Sequence, residues 1–213
     1  LAVPTTVVQD DLEPAVAAAF AMALTRLSAA GATLVETAFP EFARVAEVNP
    51  RGAISGAEAW WFHRHTIAAH ADAYDPRVLA RIRPGESISA ADYIEMLQRR
   101  RGFIAAVEAA SAGFDALLMP VTPDTAPTIA EVSANDEAYF RWNSRMLRNP
   151  SLVNLFDGCA LALPCHAPGS APVGLMIAGT AGADRRVLSI GLAVEALLRG
   201  PGALAAAVEK SLP

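Results

Sequence analysis

An α/β fold is predicted, with a mixed, largely buried sheet flanked by helices, and three observations predict it. Strand-like apolar runs alternate with an amphipathic helical segment near the start of the chain, as in a βαβ unit. Two nearly continuous apolar runs stand close together near the end, around a turn at Gly169 and Ser170. The chain has 213 residues, 53% of them hydrophobic, which is enough for a substantial core.

The first elements are predicted to form one strand, helix and strand crossover unit. The opening run LAVPTTVV reads as a strand that ends at Val8. A helix follows over residues 14–30, because apolar residues recur at three- and four-residue intervals and Gly31 stands where a C-cap glycine belongs. Residues 32–39 complete the unit as a second strand. The role of this unit is scaffolding.

A helical insertion is predicted at about residues 41–112, between the second and third strands. Its helices are expected at 41–48, 53–70, 76–82 and 90–112. Ser89 is a suitable N-cap for the last of them and Gly113 a suitable stop. Binding elements tend to sit in the variable connections of a sheet scaffold, so this insertion is a natural place for specificity.

The remaining chain supplies the rest of the sheet. A short buried strand is predicted over residues 114–119, and an aromatic and basic helix over 136–148. Strands follow at 159–163 and 172–178, and both are predicted to be covered on both faces because they are almost entirely apolar. An amphipathic helix that begins at Asp184 and runs to about Leu198 closes the pattern.

Composition excludes several classes of function. Net charge is −5 and the basic residues are scattered apart from the run Arg99 to Arg101, so no direct nucleic-acid binding is expected. The apolar segments are too short to cross a bilayer and no signal sequence opens the chain, so we expect no membrane contact and a cytoplasmic protein. Cys159 and Cys165 lie at opposite ends of a predicted strand, which separates them too far for a disulfide.

The richest part of the insertion is an aromatic and histidine cluster in the helix predicted at 53–70. Trp61 is a candidate for an aromatic wall facing the substrate, with packing against the core and rim as the alternative for it and its aromatic neighbours. His63, His65 and His70 do not share a helical face, because ligands on a helix must stand three or four residues apart. No metal site and no cofactor are therefore expected.

Several motifs together resemble the amidase signature family. Residues 114–123 resemble its aspartate, apolar run and Pro-x-x-Pro element, and residues 81–85 resemble its Arg-Ile-x-x-Gly segment. Asn154 to Gly158 resembles the step into the next strand, Leu-Pro-Cys follows at 163–165, and Pro-Val-Gly-Leu-x-Ile lies at 172–177. The resemblance covers essentially the whole chain. It implies that residues 1–213 are the C-terminal portion of a single amidase domain, similar to the A subunit of the amidotransferases.

The resemblance also implies a set of substrate-binding residues. In relatives an arginine near Arg81 can contact a carboxylate of the substrate, as in amidotransferases that act on glutamine, whereas capping of a helix C-terminus is the alternative for Arg81. Asn143 is either a further contact or a surface residue. Asn154, Cys165 and Trp61 complete the predicted substrate-binding set.

No catalytic residue can be assigned in this chain. The family, as the resemblance implies it, uses a serine nucleophile activated through a second serine and a lysine. The only lysine here is Lys210, outside any glycine- and serine-rich context. Cys165 and His166 are adjacent and point apart, which makes a poor thiolate and imidazole pair. The catalytic N-terminal portion is therefore expected to be absent and the isolated chain inactive, and the abrupt start at Leu1 within a strand agrees with this expectation, a processed terminus being the alternative.

Three functions remain open from the sequence. The chain is the C-terminal portion of an amidase-type hydrolase that cleaves carboxamide C–N bonds, part of the glutaminase-like A subunit of a tRNA-dependent amidotransferase, or a stand-alone, non-catalytic binding module. The expected partners are a small-molecule amide substrate in the full-length protein and the missing N-terminal portion. A homo-oligomer is also possible, because a truncated sheet would expose apolar surface.

Overall fold

Five strands form one mixed sheet in the computed structural model, which describes residues 1–200. The strands are β1 (Ala2–Pro4), β2 (Val35–Thr37), β3 (Leu117–Pro120), β4 (Cys159–Pro164) and β5 (Gly174–Gly179). Their order across the sheet is β2-β1-β3-β5-β4. β1 runs parallel to β2 and β3, whereas β5 runs antiparallel to β3 and β4. The predicted α/β class is confirmed. Lys210 lies outside the described residues.

Eight helices are described. They are α1 (Pro14–Ala29), α2 (Val45–Val48), α3 (Ala53–His70), α4 (Pro76–Ile82), α5 (Ala90–Ser111), α6 (Ile129–Ser133), α7 (Asp136–Leu155) and α8 (Asp184–Arg199). α2 to α5 lie between β2 and β3, which confirms the helical insertion. In the part of the chain that the structure describes, no helix is both long and apolar enough to cross a membrane.

Helices cover the two faces of the sheet and create two hydrophobic layers. On one face, α1 and α8 pack against the sheet through Phe20, Leu27 and Val187. On the other face, α5 and α7 pack through residues that include Phe103 and Leu152. Successive residues of a strand point to opposite faces, and β3 accordingly gives Leu118 to the first layer and its neighbours Leu117 and Met119 to the second.

The first two strands are shorter than predicted. Residues 6–8 form turns rather than the end of β1, and Val7 takes a left-handed backbone conformation with φ 67°. β2 keeps only three of the eight residues in 32–39. The Phe39 amide N–H donates to the Thr6 side chain at 3.1 Å, so a side chain replaces the backbone ladder at this point. The alternation of apolar residues in the sequence did not show that the Thr6 side chain bonds the backbone here.

α7 is longer than predicted. The helix was predicted to end at Arg148, yet α7 continues through Pro150 to Leu155. Burial explains the continuation, because Asn149, Leu152 and Val153 are all buried against the sheet. Asn154 consequently lies within the last turn of α7, and residues 156–158 lead from this turn into β4 at Cys159.

Two further corrections concern α6 and β4. α6 was not predicted, although Thr128 and Glu131 form a capping box at its start, a spacing that is visible in the sequence. β4 was predicted to be covered on both faces, but Ala160 and Ala162 are exposed. β4 is an edge strand at one end of the sheet, whereas β5, which lies between two strands, is buried as predicted.

Candidate functional site

The candidate site is a cleft of about 770 Å³ between the helical insertion and α7, called the insertion cleft below. The ends of α3 and α4 supply most of its walls and Phe140 of α7 supplies the remainder. Its lining includes Pro50, Gly52, Ser55, Gly56, Val78, Arg81, Ile82, Pro84, Gly85, Ile88 and Phe140. The walls are therefore mainly apolar, with Arg51 and Arg81 as their charged residues.

A glycine contact fixes one wall of the cleft. Gly85 ends the Arg-Ile-x-x-Gly segment and packs on α3 so closely that a Cβ atom there would lie 2.1 Å from the Gly56 carbonyl oxygen. It would also lie 2.8 Å from the Cβ atom of Trp60. Only glycine permits this approach, so the motif residue brings the segment that carries Arg81 against α3.

α4 is held in place at its start and along its length. The Asp75 carboxylate caps the helix by accepting from the Arg77 amide at 2.8 Å. The Arg77 side chain donates to Asp136 of α7 at 2.8 Å, and its guanidinium lies 4.8 Å from the centre of the Tyr139 ring. These contacts join α4 to α7 and set the width of the cleft.

Two of the predicted substrate-binding residues come together at this cleft. Arg81 Nη1 donates to Asn143 Oδ1 at 3.3 Å, which links α4 to α7. The Arg81 side chain is exposed, and the hydrogen bond is long enough to be exchanged for a stronger acceptor. A carboxylate would be such an acceptor, because charge-assisted bonds to guanidinium are shorter and stronger than bonds to a neutral amide.

The other three predicted residues lie elsewhere. Trp61 is 66% exposed on the outer face of α3 and does not line the insertion cleft. Asn154 is exposed near the end of α7, where its carbonyl oxygen accepts from Arg100 at 3.1 Å. Cys165 lies at the end of β4 and lines a separate groove of about 780 Å³ between α1, α8 and the β4–β5 hairpin. The structure therefore brings Arg81 and Asn143 together and leaves the others apart.

The surroundings of Cys165 disfavour a thiolate. Burial raises the pKa of the Cys165 thiol to about 11, and its sulfur lies 3.5 Å from the Val173 carbonyl oxygen. The neighbouring His166 accepts from the Val173 amide at 3.2 Å through Nδ1, so this imidazole bonds the backbone that leads into β5 rather than the thiol. Burial also raises the pKa of Cys159, with Asp184 adding to the effect.

Slow alkylation is expected at Cys165. In a chain carrying Cys159→Ser, iodoacetamide at pH 8 should modify Cys165 about a hundred-fold more slowly than an unperturbed thiol, because only the thiolate reacts. The rate should rise with pH until the pH approaches the thiol pKa of about 11. Mass spectrometry over time measures it, with the same chain in urea as the control. Equal rates in the folded and unfolded chains would contradict the expectation.

One polar face of α7 has a structural role that the sequence did not predict. Arg148 and Asn149 stand three and four residues after Arg145, so the three side chains project from one side of the helix toward the carboxyl ends of β1 and β3. Asn149 is fully buried, and its Nδ2 donates to the carbonyl oxygens of Val8 at 3.0 Å and Pro120 at 2.8 Å. The spacing was visible in the sequence, but the carbonyl partners were not.

Arg145 and Arg148 make further contacts with the same loops. Arg145 bonds the Asp124 carboxylate and donates to Asp11 at 2.7 Å, and these carboxylates hold the pKa of Arg145 well above its ordinary value. Arg148 donates to the Asp10 carbonyl oxygen at 2.7 Å, and burial, followed by the charge of Arg145, lowers the pKa of Arg148. Together these residues fix the loops that follow β1 and β3.

The three histidines of α3 do not form a cluster. His63 Nδ1 lies 2.9 Å from the Tyr74 hydroxyl, whereas His65 and His70 are exposed. Within residues 1–200, no three side chains of histidine, cysteine, aspartate or glutamate come together in a way that could hold a metal ion.

This chain matches known proteins over most of its length. A family model described as Amidase matches residues 1–188. The chain is 31% identical over 201 residues to 2-amino-5-chloromuconic acid deaminase of Comamonas testosteroni, a match that covers 92% of this chain and 42% of that protein. It is 27% identical over 217 residues to the A subunit of glutamyl-tRNA(Gln) amidotransferase from Symbiobacterium thermophilum, covering 92% of this chain and 44% of that protein.

A solved structure shares the fold. Allophanate hydrolase of Kluyveromyces lactis superposes with a TM-score of 0.82 at 24% identity, covering 94% of this chain and 32% of that one. The chain spans less than half the length of the curated relatives that it matches.

Proposed function

This chain belongs to the amidase family, and on that premise we propose that it forms the C-terminal portion of an amidase-type hydrolase that cleaves carboxamide C–N bonds. In this proposal the chain supplies a wall of the substrate site, and the nucleophile is supplied by a portion that the chain does not contain. The single lysine, Lys210, supports this division, because a serine, serine and lysine set needs a lysine beside a glycine- and serine-rich loop.

The observation that carries the proposed role is the position of Arg81. Its guanidinium lines a largely apolar cleft and shares one modest hydrogen bond with Asn143. Such a site suits a small substrate with an apolar body and one carboxylate, because guanidinium binds carboxylate with two parallel hydrogen bonds. Asn143 then acts as a positioning residue that holds Arg81 over the cleft until the substrate arrives.

A second candidate is deamination of an amino-substituted carboxylic acid. The 31%-identical relative is named as a deaminase of a muconic acid, and Arg81 would serve a carboxylate of such a substrate equally well. A glutaminase-like role within a tRNA-dependent amidotransferase remains a further alternative, supported by the 27% identity to the A subunit of such an enzyme. Glutamine also carries a carboxylate, so Arg81 alone does not separate these substrates.

A binding measurement tests the role of Arg81 in this chain without requiring catalysis. The probe is cis,cis-muconate, compared with its dimethyl ester, titrated by calorimetry. Wild-type chain should bind the diacid more tightly than the ester, and Arg81→Ala should weaken binding of the diacid by about ten-fold or more, the loss expected for one charge-assisted contact. Arg81→Lys should recover part of the affinity, because lysine keeps the charge but loses the planar fork.

The matched control is Arg83→Ala, which removes a neighbouring exposed arginine that does not line the cleft. If Arg83→Ala and Arg81→Ala weaken binding equally, the contribution is general electrostatics and the proposed role of Arg81 is wrong. In parallel, the isolated chain should hydrolyse neither aliphatic amides nor glutamine. Turnover by the isolated chain would overturn the proposal that the nucleophile lies elsewhere.

A further inference from the structure

The charged residues in the walls of the insertion cleft are both arginines. Arg51 lies in the turn before α3 and Arg81 lies in α4, and within residues 1–200 no aspartate or glutamate lines the cleft. The chain as a whole has a net charge of −5, so the charge of the cleft is opposite to that of the chain. A cleft lined by one sign of charge concentrates ligands of the opposite sign. The insertion cleft therefore suits an anion with more than one negative charge.

Neither arginine has an acidic partner in the described part of the chain. Other arginines of residues 1–200 form ion pairs, as Arg77 does with Asp136, but Arg51 and Arg81 form none there. Arg81 has its hydrogen bond to the neutral side chain of Asn143. Guanidinium binds carboxylate more strongly than it binds a neutral amide. A ligand that brings carboxylates to both arginines would therefore gain a strong contact at each.

The backbone at Arg51 is held in a conformation that is uncommon for arginine. Arg51 has φ 54° and ψ 23°, in the left-handed region, and Gly52 follows with φ 75°. Residues in such conformations persist where their surroundings fix them, and they cluster at ligand sites. Asn49 fixes this turn: its Oδ1 accepts from the Ile54 amide at 2.9 Å, and its backbone oxygen accepts from the Gly52 amide at 3.2 Å. The turn therefore sets the direction in which the Arg51 side chain leaves the backbone.

One close contact joins the segments that carry the two arginines. Gly85 packs against Gly56, and Arg81 stands four residues before Gly85, whereas Arg51 stands five residues before Gly56. The same walls carry large apolar side chains, which are those of Val78, Ile82, Ile88 and Phe140. A ligand that reaches both arginines therefore meets hydrocarbon as well as charge. This combination favours an organic diacid over a compact anion such as inorganic phosphate.

We propose that Arg51 is a second carboxylate-binding residue and that the insertion cleft takes a dicarboxylate, with one carboxylate on Arg81 and the other on Arg51. The inference rests on the proposed function, which places the first carboxylate on Arg81. Each guanidinium forms two parallel hydrogen bonds with its carboxylate, and the apolar side chains contact the hydrocarbon between them. Arg51 is then a specificity-determining residue, because glutamine and simple amides have no second carboxylate for it to bind.

Calorimetric titration of the full 213-residue chain tests the role of Arg51. The probes are cis,cis-muconate and its monomethyl ester, which keeps the same body but only one carboxylate. The wild-type chain should bind the diacid about ten-fold or more tightly than the monoester. Arg51→Ala and Arg51→Gly should bind the two probes with nearly equal affinity. Glycine suits the left-handed backbone at this position, so a loss in Arg51→Gly cannot come from a disturbed turn.

Two further measurements separate a two-point site from general attraction of anions. In the saturated series from succinate to suberate, the affinity of the wild-type chain should reach a maximum at one chain length, and Arg51→Gly should remove that maximum. The matched control is Arg83→Ala, which removes an exposed arginine outside the lining of the cleft and should keep the preference for the diacid. Thermal melting of each variant shows that the chain is still folded.

A wild-type chain that does not prefer the diacid, or a preference that survives in Arg51→Gly, would overturn the inference. Equal losses in Arg51→Ala and Arg83→Ala, or inorganic phosphate that binds as tightly as the diacid, would also overturn it. The proposed function is judged separately through the monoester. If Arg81→Ala weakens binding of the monoester while the Arg51 variants change nothing, Arg81 keeps its role and the dicarboxylate inference is wrong. If Arg81→Ala changes the affinity for neither probe, both are wrong.

Discussion

Replacing Asn149 with alanine is expected to lower the free energy of unfolding by about 3 kcal/mol, because it leaves two buried carbonyl groups without their donor. The Asn149 side chain is fully buried and donates to the carbonyl oxygens of Val8 and Pro120. After the substitution the Val8 oxygen would retain only a 3.4 Å contact with Arg148. Urea titration of the folded chain measures the loss.

The matched control lies on the same helix. Asn154→Ala changes the same residue type in α7, but its side chain is exposed. Its effect should stay within about 0.5 kcal/mol of zero, as for most surface substitutions. Asn149→Asp is a second test, since it keeps the shape and removes the amino group, and it should destabilise at least as much as alanine. Equal stabilities for Asn149→Ala and Asn154→Ala would show that the carbonyl bonds contribute nothing.

The contacts that α7 makes through Arg145, Arg148 and Asn149 could not be predicted from the sequence. The aromatic and basic character of residues 136–148 identified a helix, but it did not show that the helix continues through Pro150 and buries Leu152. Proline ends helices by losing one amide and by steric conflict, and tertiary burial outweighed both here. The partners of Asn149 lie 141 and 29 residues away in the chain, and no local pattern encodes such contacts.

The helices of the insertion were predicted accurately because their ends carry local chemistry. Ser89 caps α5 through a capping box with Asp92, and Asp75 caps α4. The sheet was predicted less well at its edges. Only three residues of β1 pair, because Thr6 takes over the bond to Phe39, and β4 loses its cover because it ends the sheet of residues 1–200.

The candidate site was predicted in part for a similar reason. The Arg-Ile-x-x-Gly motif identified Arg81 from the sequence, and Asn143 of α7 accepts a hydrogen bond from it. Trp61 was a candidate because of its residue type alone, and the direction of a helical side chain depends on which face of α3 packs. That face is set by Ile54 and Ile67, which are buried, while Trp61 points outward.

Gly85, the glycine of the same motif, is the position where a substitution is expected to change the cleft most. Gly85 is buried, and the nearest atoms to a Cβ there belong to the backbone of Gly56, at 2.1 Å from the oxygen and 2.6 Å from the carbon. A flexible side chain could move aside, but a carbonyl within α3 is fixed by its own helix. The segment that follows α4 must therefore shift away from α3 when a methyl group is added.

Gly85→Ala is accordingly expected to lower the free energy of unfolding by about 3 kcal/mol, the upper part of the range for overpacking a buried site. It should also weaken binding of the muconate probe about as much as Arg81→Ala does, because the displaced segment carries Arg81. The matched control is Gly102→Ala in α5, where no atom lies within 4 Å of the new methyl group. That substitution should stabilise the chain by up to about 1 kcal/mol through helix propensity. If Gly85→Ala behaved like Gly102→Ala in urea titration, the close contact of Gly85 with α3 would not determine the position of Arg81, and the insertion cleft would owe its shape to the bonds between α4 and α7 instead.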